Sequence, residues 1–295
     1  VLPAQDAGPR LIAELEEQTG AIARALGAVG LLNIQYAVLD GTPYVLEANP
    51  RASRTVPFVA KATGVPLVRH AVRLMLGEPL ESLELPDRRT PGHIAVKEAV
   101  LPFSRFLDAD PVLGPEMRAT GEVMGLAGSF PAAFAKAQRG AGAALPRDGA
   151  VFVSTRDVDK PRAVALAARL ADAGLRVLAT SGTAGAIAAA GVRVEEVPKL
   201  SDGRPGHIGE RIAAGEVAMV VNTPSGRGAR SDGGAIRSAA IRAGIPCITT
   251  IEAAEAAALA LRAGDEDSAE PVALQDLGGS GAARLVGRGG PRARP

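Results

Sequence analysis

From Ala150 onward the chain alternates short apolar runs with longer runs of helical period, and this alternation constrains the fold more than any other feature. AVFVST, RVLAT, AMVVNT and PCITT are short, apolar and bounded by Gly, Pro or polar residues, as buried strands are. Between or after them lie helical stretches: DKPRAVALAARLADAG, TAGAIAAAG, HIGERIAAG, GGAIRSAAIRAG and IEAAEAAALALRAG. VRVEEV reads as one more strand. A helix after each strand returns the chain to the end of the sheet where it started. The expected architecture is therefore α/β, a doubly wound parallel sheet with helices on both faces.

The first half reads differently. Pro9 opens a helical stretch to about Ala28, with Leu11, Leu15, Ile22 and Leu26 near helical spacing. LLNIQYAVL and YVLEANP, joined by DGTP, read as an antiparallel hairpin, and RASRTVPFVAKATGV and PLVRHAVRLMLGE as a loop and two short helices. Residues 78–145 are less regular, with a helix expected around Phe130–Arg139. RGAGAALPRDG has no apolar period and reads as a linker. A chain of 295 residues suggests about two domains. The expected boundaries are 1–140 for the first, 141–149 for the linker, 150–277 for the second and 278–295 for a disordered Gly/Arg/Pro-rich tail.

Composition narrows the function classes. The net charge of +1 and the 3% of aromatic residues, with no Trp, argue against nucleic acid as partner. No apolar run has the length of a membrane span, so no membrane partner is expected. Cys247 is the single cysteine, so no internal disulfide forms and a cytoplasmic setting is expected. The opening VLPAQDAGPR has neither a Met nor a signal pattern, and the expectation is a piece of something longer. His70, His93 and His207 have no ligand spacing and read as structural or surface residues.

Two constellations carry chemistry. In the hairpin, Gln35, Glu47 and Asn49 could offer one carboxylate and amide oxygens to a magnesium ion that also takes phosphate oxygens and water. Glu47 and Asn49 share a strand face. Gln35 joins them if the hairpin loop has an odd number of residues, so a loop of three or five residues within Asp40–Pro43 is expected. Arg51 and Arg54 follow, and guanidinium forks suit phosphate oxygens. On chemistry alone the same residues read equally as an exposed hairpin face with two solvated arginines.

In the second half, polar groups recur at the carboxyl ends of successive strands: Ser154 with Lys160, Thr180 with Ser181, Gly182 and Thr183, then Lys199, then Asn222 and Thr223. Each alone reads as a helix cap or a solvated lysine. Their recurrence at one end of a parallel sheet favours a phosphate pocket.

NIQYAV and EANPRASRTVPFVAKATGVPL resemble the end of the second ATP-grasp domain of carbamoyl phosphate synthetase large subunits. STRDVDKPR, ATSGTAG, VPKLSDGRP and VVNTPSG resemble the methylglyoxal-synthase-like regulatory domain that ends those subunits. The resemblance implies that Gln35, Glu47 and Asn49 hold Mg2+ or Mn2+ and ATP phosphates, with Arg51 and Arg54 stabilising phosphate. The implied reaction converts carbamate and ATP into carbamoyl phosphate and ADP, for arginine and pyrimidine biosynthesis. It implies that Ser154, Lys160, Thr180, Thr183, Lys199, Asn222 and Thr223 bind UMP or IMP as effector. VKEAVLPF matches a segment in which some relatives use the acidic residue, here Glu98, to bind the activator ornithine. A glutaminase small subunit and self-association are the implied partners. An ATP-grasp site needs a second lobe, so the chain alone is expected to be inactive.

Two departures stand out. Pro224 replaces a second Thr that some relatives carry, with Ser225 as a substitute, and Ile248 stands where some ornithine-activated relatives have an acidic residue. The alternatives are a free-standing methylglyoxal synthase, with Asp157 or Asp232 as the catalytic carboxylate, and a stand-alone nucleotide-sensing module.

Overall fold

The structure is a computed structural model that describes residues 1–83, 92–101, 121–223 and 232–262, with Leu85, Phe103, Val112, Pro271, Ala273 and Leu274. The expected tail at 278–295, Pro224 and Ser225 lie outside the described residues. The chain forms two compact units, one of residues 1–95 with 271–295 and one of residues 96–270.

In the first unit, α1 (Pro9–Ala25) starts on the proline, whose fixed φ suits a first turn. The chain leaves the helix through Gly27 at φ 55°. The Thr19 hydroxyl lies 2.8 Å from the Tyr36 hydroxyl and ties α1 to the hairpin of β1 (Asn33–Leu39) and β2 (Thr42–Asn49). After the hairpin come α2 (Thr55–Thr63), closed by Gly64 at φ 74°, and α3 (Leu67–Met75). Phe58, Ala62, Ala71 and Leu83 are buried beneath them, and the His93 ring bonds the Ala62 carbonyl at 2.9 Å.

The hairpin corrects one expectation. Its loop has two residues, Asp40 and Gly41, since Leu39 pairs with Thr42. Both loop residues have positive φ, 50° and 77°, as a type I′ turn requires. An unbroken ladder from that turn would pair Glu47 with Ile34 and put Gln35 on the other face. A bulge intervenes instead: Tyr36 pairs with Val45, but Gln35 pairs with Glu47, leaving Leu46 as the extra residue. The bulge makes the change of parity that was expected of the loop.

The second unit opens in β3 (Ile94–Val100), which pairs with β4 (Gly121–Ala127) in a two-stranded sheet. Helix α4 (Phe130–Gly140) packs on β4 through Ala133 and Ala137, both buried. The parallel sheet follows, made of β5 (Ala150–Ser154), β6 (Arg176–Ala179), β7 (Glu195–Glu196), β8 (Met219–Asn222) and β9 (Cys247–Ile248). Its strand order is β7-β6-β5-β8-β9, and every neighbouring pair is parallel.

Alternate residues of β5 build two separate cores. Val151 and Val153 face α5 (Lys160–Asp172), α6 (Ser181–Ala189) and α9 (Ile251–Arg262). Ala150 and Phe152 face α7 (Ile208–Ala213) and α8 (Asp232–Arg242). This is the doubly wound arrangement expected from the alternation. Arg162 of α5 bridges Glu252 and Glu255 of α9 and fastens two helices on one face. Among the described residues, no helix is long and apolar enough to cross a membrane.

Candidate functional site

The winding of the sheet reverses between β5 and β8, since β6 and β7 lie to one side and β9 to the other. At such a reversal the flanking connections diverge and leave a crevice at the carboxyl ends of the strands. Here that crevice is a cavity of about 340 Å³. Ser154 and Asn222 are direct partners across β5 and β8 and sit at its base.

The sheet brings together Ser154, Lys160, Thr180, Gly182, Thr183, Lys199, Asn222 and Thr223, which all line the cavity, whereas Ser181 is not among its lining residues. Thr180 is the N-cap of α6 but makes no side-chain cap hydrogen bond. Gly182 follows in the first turn, and a methyl added there would lie 3.5 Å from Lys160 Nζ. The amino end of α6 therefore lies next to the lysine, with Thr183 N–H turned back to the Thr180 carbonyl at 2.9 Å and the Ser181 and Gly182 N–H groups ahead of it in the first turn. Lys199 makes no ion pair among the described residues, while Lys160 pairs with Asp157 at 2.7 Å. That contact holds the Asp157 carboxyl below its ordinary pKa, the hydrogen bond from Lys160 being the largest cause.

Thr223 has a structural duty as well. Its hydroxyl accepts the Arg156 N–H at 3.0 Å and hydrogen-bonds the Asp159 carboxylate. Asp159 is buried at 5% exposure, and Arg156 Nε donates to it at 2.7 Å. That guanidinium contact is the main reason the Asp159 carboxyl lies below its usual range, against the opposing effect of burial. The network fixes the loop between β5 and α5, and so the position of Lys160.

Sequence reasoning missed Arg237 and treated Asp232 only as a candidate acid. Both line the cavity from α8. Asp232 accepts a hydrogen bond from the Ser201 hydroxyl at 2.6 Å. Arg237 is 3% exposed, and its Nη1 donates to Asn222 Oδ1 at 2.6 Å. One signal was present in the sequence. Arg237 lies beside Ile236 and three residues before Ala240, the apolar stripe of α8, where a solvated arginine has no place.

In the first unit, the pairing of Gln35 with Glu47 puts Gln35, Glu47 and Asn49 on one face of the hairpin. Asn49 Nδ2 donates to Glu47 Oε1 at 2.9 Å, and both Glu47 and Gln35 are exposed. Arg51 and Arg54 are also exposed, between β2 and the start of α2. Among the described residues no group of three or more His, Cys, Asp or Glu could hold a metal ion. A cation here would rest on one carboxylate and two amide oxygens, leaving sites for phosphate and water. That donor set suits Mg2+ or Mn2+ and does not suit Zn2+.

Glu98 of β3 is half-buried and accepts a hydrogen bond from Gln138 Nε2 of α4 at 2.9 Å. Burial raises its carboxyl above the ordinary value, partly opposed by the Ala99 backbone and Gln138. The folded chain therefore binds this proton more tightly than the unfolded chain. The corresponding stability is complete below the unfolded pKa and is lost as pH rises through the folded pKa. Glu98→Gln keeps an acceptor for Gln138 without the charge. It is expected to raise the melting temperature at pH 7 by about 1–3 °C, with the difference vanishing near pH 4, in circular-dichroism melts. An equal difference at both pH values would show that the charge is not the cause.

Two family models match the chain. Residues 1–83 match the ATP-binding domain of the carbamoyl-phosphate synthase L chain, and residues 162–249 match the MGS-like domain. Among similar curated proteins is the carbamoyl phosphate synthase large chain of Mesorhizobium japonicum, 51% identical over 280 residues, covering 93% of this chain and 24% of that protein. The large chain of Rhizobium meliloti is 50% identical over 267 residues, covering 89% of this chain and 23% of the relative. That of Rhodopirellula baltica is 48% identical over 269 residues, covering 90% and 25%. The chain thus spans about a quarter of the length of these relatives. The matches cover both the hairpin and the parallel sheet, and the chain belongs to the carbamoyl phosphate synthase large chain family.

Proposed function

We propose that this chain is the part of a glutamine-hydrolysing carbamoyl phosphate synthase large subunit that completes an ATP site and carries nucleotide control. The whole is an ATP-dependent ligase supplying arginine and pyrimidine biosynthesis in the cytoplasm. It works with a glutaminase small subunit and as a homo-oligomer. The domain division that goes with this reading is a catalytic portion over 1–140 and a regulatory portion over 150–277.

In the catalytic portion, Gln35, Glu47 and Asn49 would hold Mg2+ or Mn2+, which would supply positive charge to the ATP phosphates. Arg51 and Arg54 supply guanidinium groups to the same oxygens. A carbamate oxygen attacks the γ-phosphorus, the bond to the ADP oxygen breaks, and carbamoyl phosphate and ADP leave. When bound, the metal neutralises charge on the transferred phosphoryl group. The chain's own residues position the phosphates and balance their charge.

The regulatory portion binds UMP or IMP. The observation that carries this reading is the convergence of Lys160, Lys199, Asn222 and the amino end of α6 on one cavity at the sheet's reversal point. Two lysines and a helix amino end favour a phosphate group. A cavity of about 340 Å³ leaves room for a sugar and base beside it.

Calorimetric titration of the folded chain with UMP, then IMP, tests the reading. Saturable binding of one of them is expected, weakened at least about tenfold by Lys199→Ala. A folded chain that binds neither would refute the regulatory assignment. A methylglyoxal synthase would instead release inorganic phosphate from dihydroxyacetone phosphate, an activity measurable on the same sample.

A further inference from the structure

We infer that Arg237 is a positioning residue that makes the crevice selective for a fully ionised phosphate group, by fixing which end of the Asn222 amide faces the ligand. This inference rests on the nucleotide-pocket reading and goes beyond it. Arg237 and Asn222 are both buried, at 3% and 4% exposure, and both line the cavity. Arg237 Nη1 lies 2.6 Å from Asn222 Oδ1.

A primary amide has a donor end and an acceptor end of nearly equal size, and by itself either can face a cavity. A guanidinium has only donors. With Arg237 against one end of Asn222, that end has to be the oxygen. The –NH2 group then turns the other way, towards the Ser154 carbonyl 3.5 Å from Nδ2, at the base of the cavity.

The consequence concerns protonation of the ligand. Around Asn222 the crevice offers the donors Lys160, Lys199, the Ser181 and Gly182 N–H groups of α6 and the Asn222 –NH2, while of its two carboxylates Asp157 is held by Lys160 at 2.7 Å and Asp232 by Ser201 at 2.6 Å, and its Thr hydroxyls can serve either way. A phosphate monoester dianion presents only acceptors and matches this set. A monoanion carries one P–OH, which meets a donor at the fixed amide, so the monoanion loses the Asn222 contact or has to turn its P–OH to a hydroxyl. Were Asn222 free to turn over, its carbonyl could receive that proton and the monoanion would be tolerated. Arg237 touches no ligand in this scheme. It acts through Asn222, and its burial in a low-dielectric floor also adds positive potential beneath the site.

The test titrates UMP calorimetrically into the full chain from pH 5.5 to 7.5, across the second phosphate ionisation near about 6. Wild-type affinity is expected to rise with pH through that range. Arg237→Met is expected to bind at least about tenfold more weakly at pH 7.5 and to show a flattened rise. Arg237→Lys, which restores a donor and the charge, should recover part of both. Asn222→Asp keeps a partner for Arg237 but turns an oxygen to the cavity, and is expected to lose about a hundredfold. This second variant covers the case in which Arg237→Met does not fold. A folded Arg237→Met with the wild-type affinity and pH slope would overturn the inference, as would tight binding by Asn222→Asp. In either case wild-type binding that is lost in Lys199→Ala leaves the pocket itself standing. Absence of wild-type binding would remove both.

Discussion

Gly125→Ala is expected to destabilise the second unit by about 3 kcal/mol or more, the largest stability effect of any glycine-to-alanine change among the described residues. A Cβ built on Gly125 would lie 2.0 Å from the Ala133 carbonyl oxygen and 2.6 Å from the Ala137 nitrogen. Both are backbone atoms of α4, so no side chain can swing aside. The helix would have to withdraw from β4 by more than an ångström. Its other contacts are built for close approach: Ala132, Ala133 and Ala137 are all buried, and α4 packs against α9. Withdrawal would open that second interface too, which rests on the alanine-rich core side of α9. Gly125 is thus needed for space and not for an unusual backbone angle. Gly121 of the same strand is the contrast, since its added Cβ would meet the Val100 side chain at 3.3 Å, a neighbour that can give. Urea denaturation followed by circular dichroism should show a large midpoint shift for Gly125→Ala and a change under about 1 kcal/mol for Gly121→Ala. Equal shifts for the two would mean that α4 does not sit as tightly on β4 as the structure has it.

How much could be read beforehand depended on where the controlling information lies along the chain. The five-stranded sheet was legible because each strand is a continuous apolar run, with Val151 and Val153 needed on one face and Phe152 on the other. The crevice was legible for a related reason: the polar residues that end those runs must share one edge once the strands are parallel. β3 and β4 were not legible. Ile94–Val100 carries Lys97 and Glu98 within a short apolar run, and the Lys97 partner, Glu122, lies on a strand separated by a long segment. Local period cannot supply such a pairing. The hairpin shows a subtler failure. Asp40-Gly41 is a strong signal for a two-residue loop, and the requirement that Gln35 share a face with Glu47 argued for a longer one. Both conditions hold, because Leu46 is inserted as a bulge, and nothing in YVLEAN marks which residue will be the extra one. Arg237 was missed for yet another reason. Arginine on a helix is usually solvated, and only the position of its helix against β8 reveals that it serves Asn222.

The bulge matters because of what it aligns, and a single substitution tests that. In the full-length subunit, Glu47→Gln is expected to reduce carbamoyl phosphate formation from carbamate and ATP by about a hundredfold or more. Among the three candidate ligands that share this hairpin face, Glu47 is the one carboxylate, beside the amides Gln35 and Asn49. Hard divalent cations draw most of their binding from anionic oxygen, so a face of three amides would hold Mg2+ or Mn2+ poorly. The substitution is nearly isosteric. The amide introduced there would keep an oxygen to accept from Asn49 Nδ2, the bond seen at 2.9 Å, and the exposed position buries no new polar group. Folding should be unchanged, and equal melting curves for the two proteins check this. If the loss arises from weakened metal binding, raising Mn2+ should restore part of the rate, with ATP affinity recovering in parallel. A variant that folds, retains the wild-type rate and shows the wild-type metal dependence would make this face an ordinary solvated one. The bulge would then have no catalytic meaning, whatever the family to which the chain belongs.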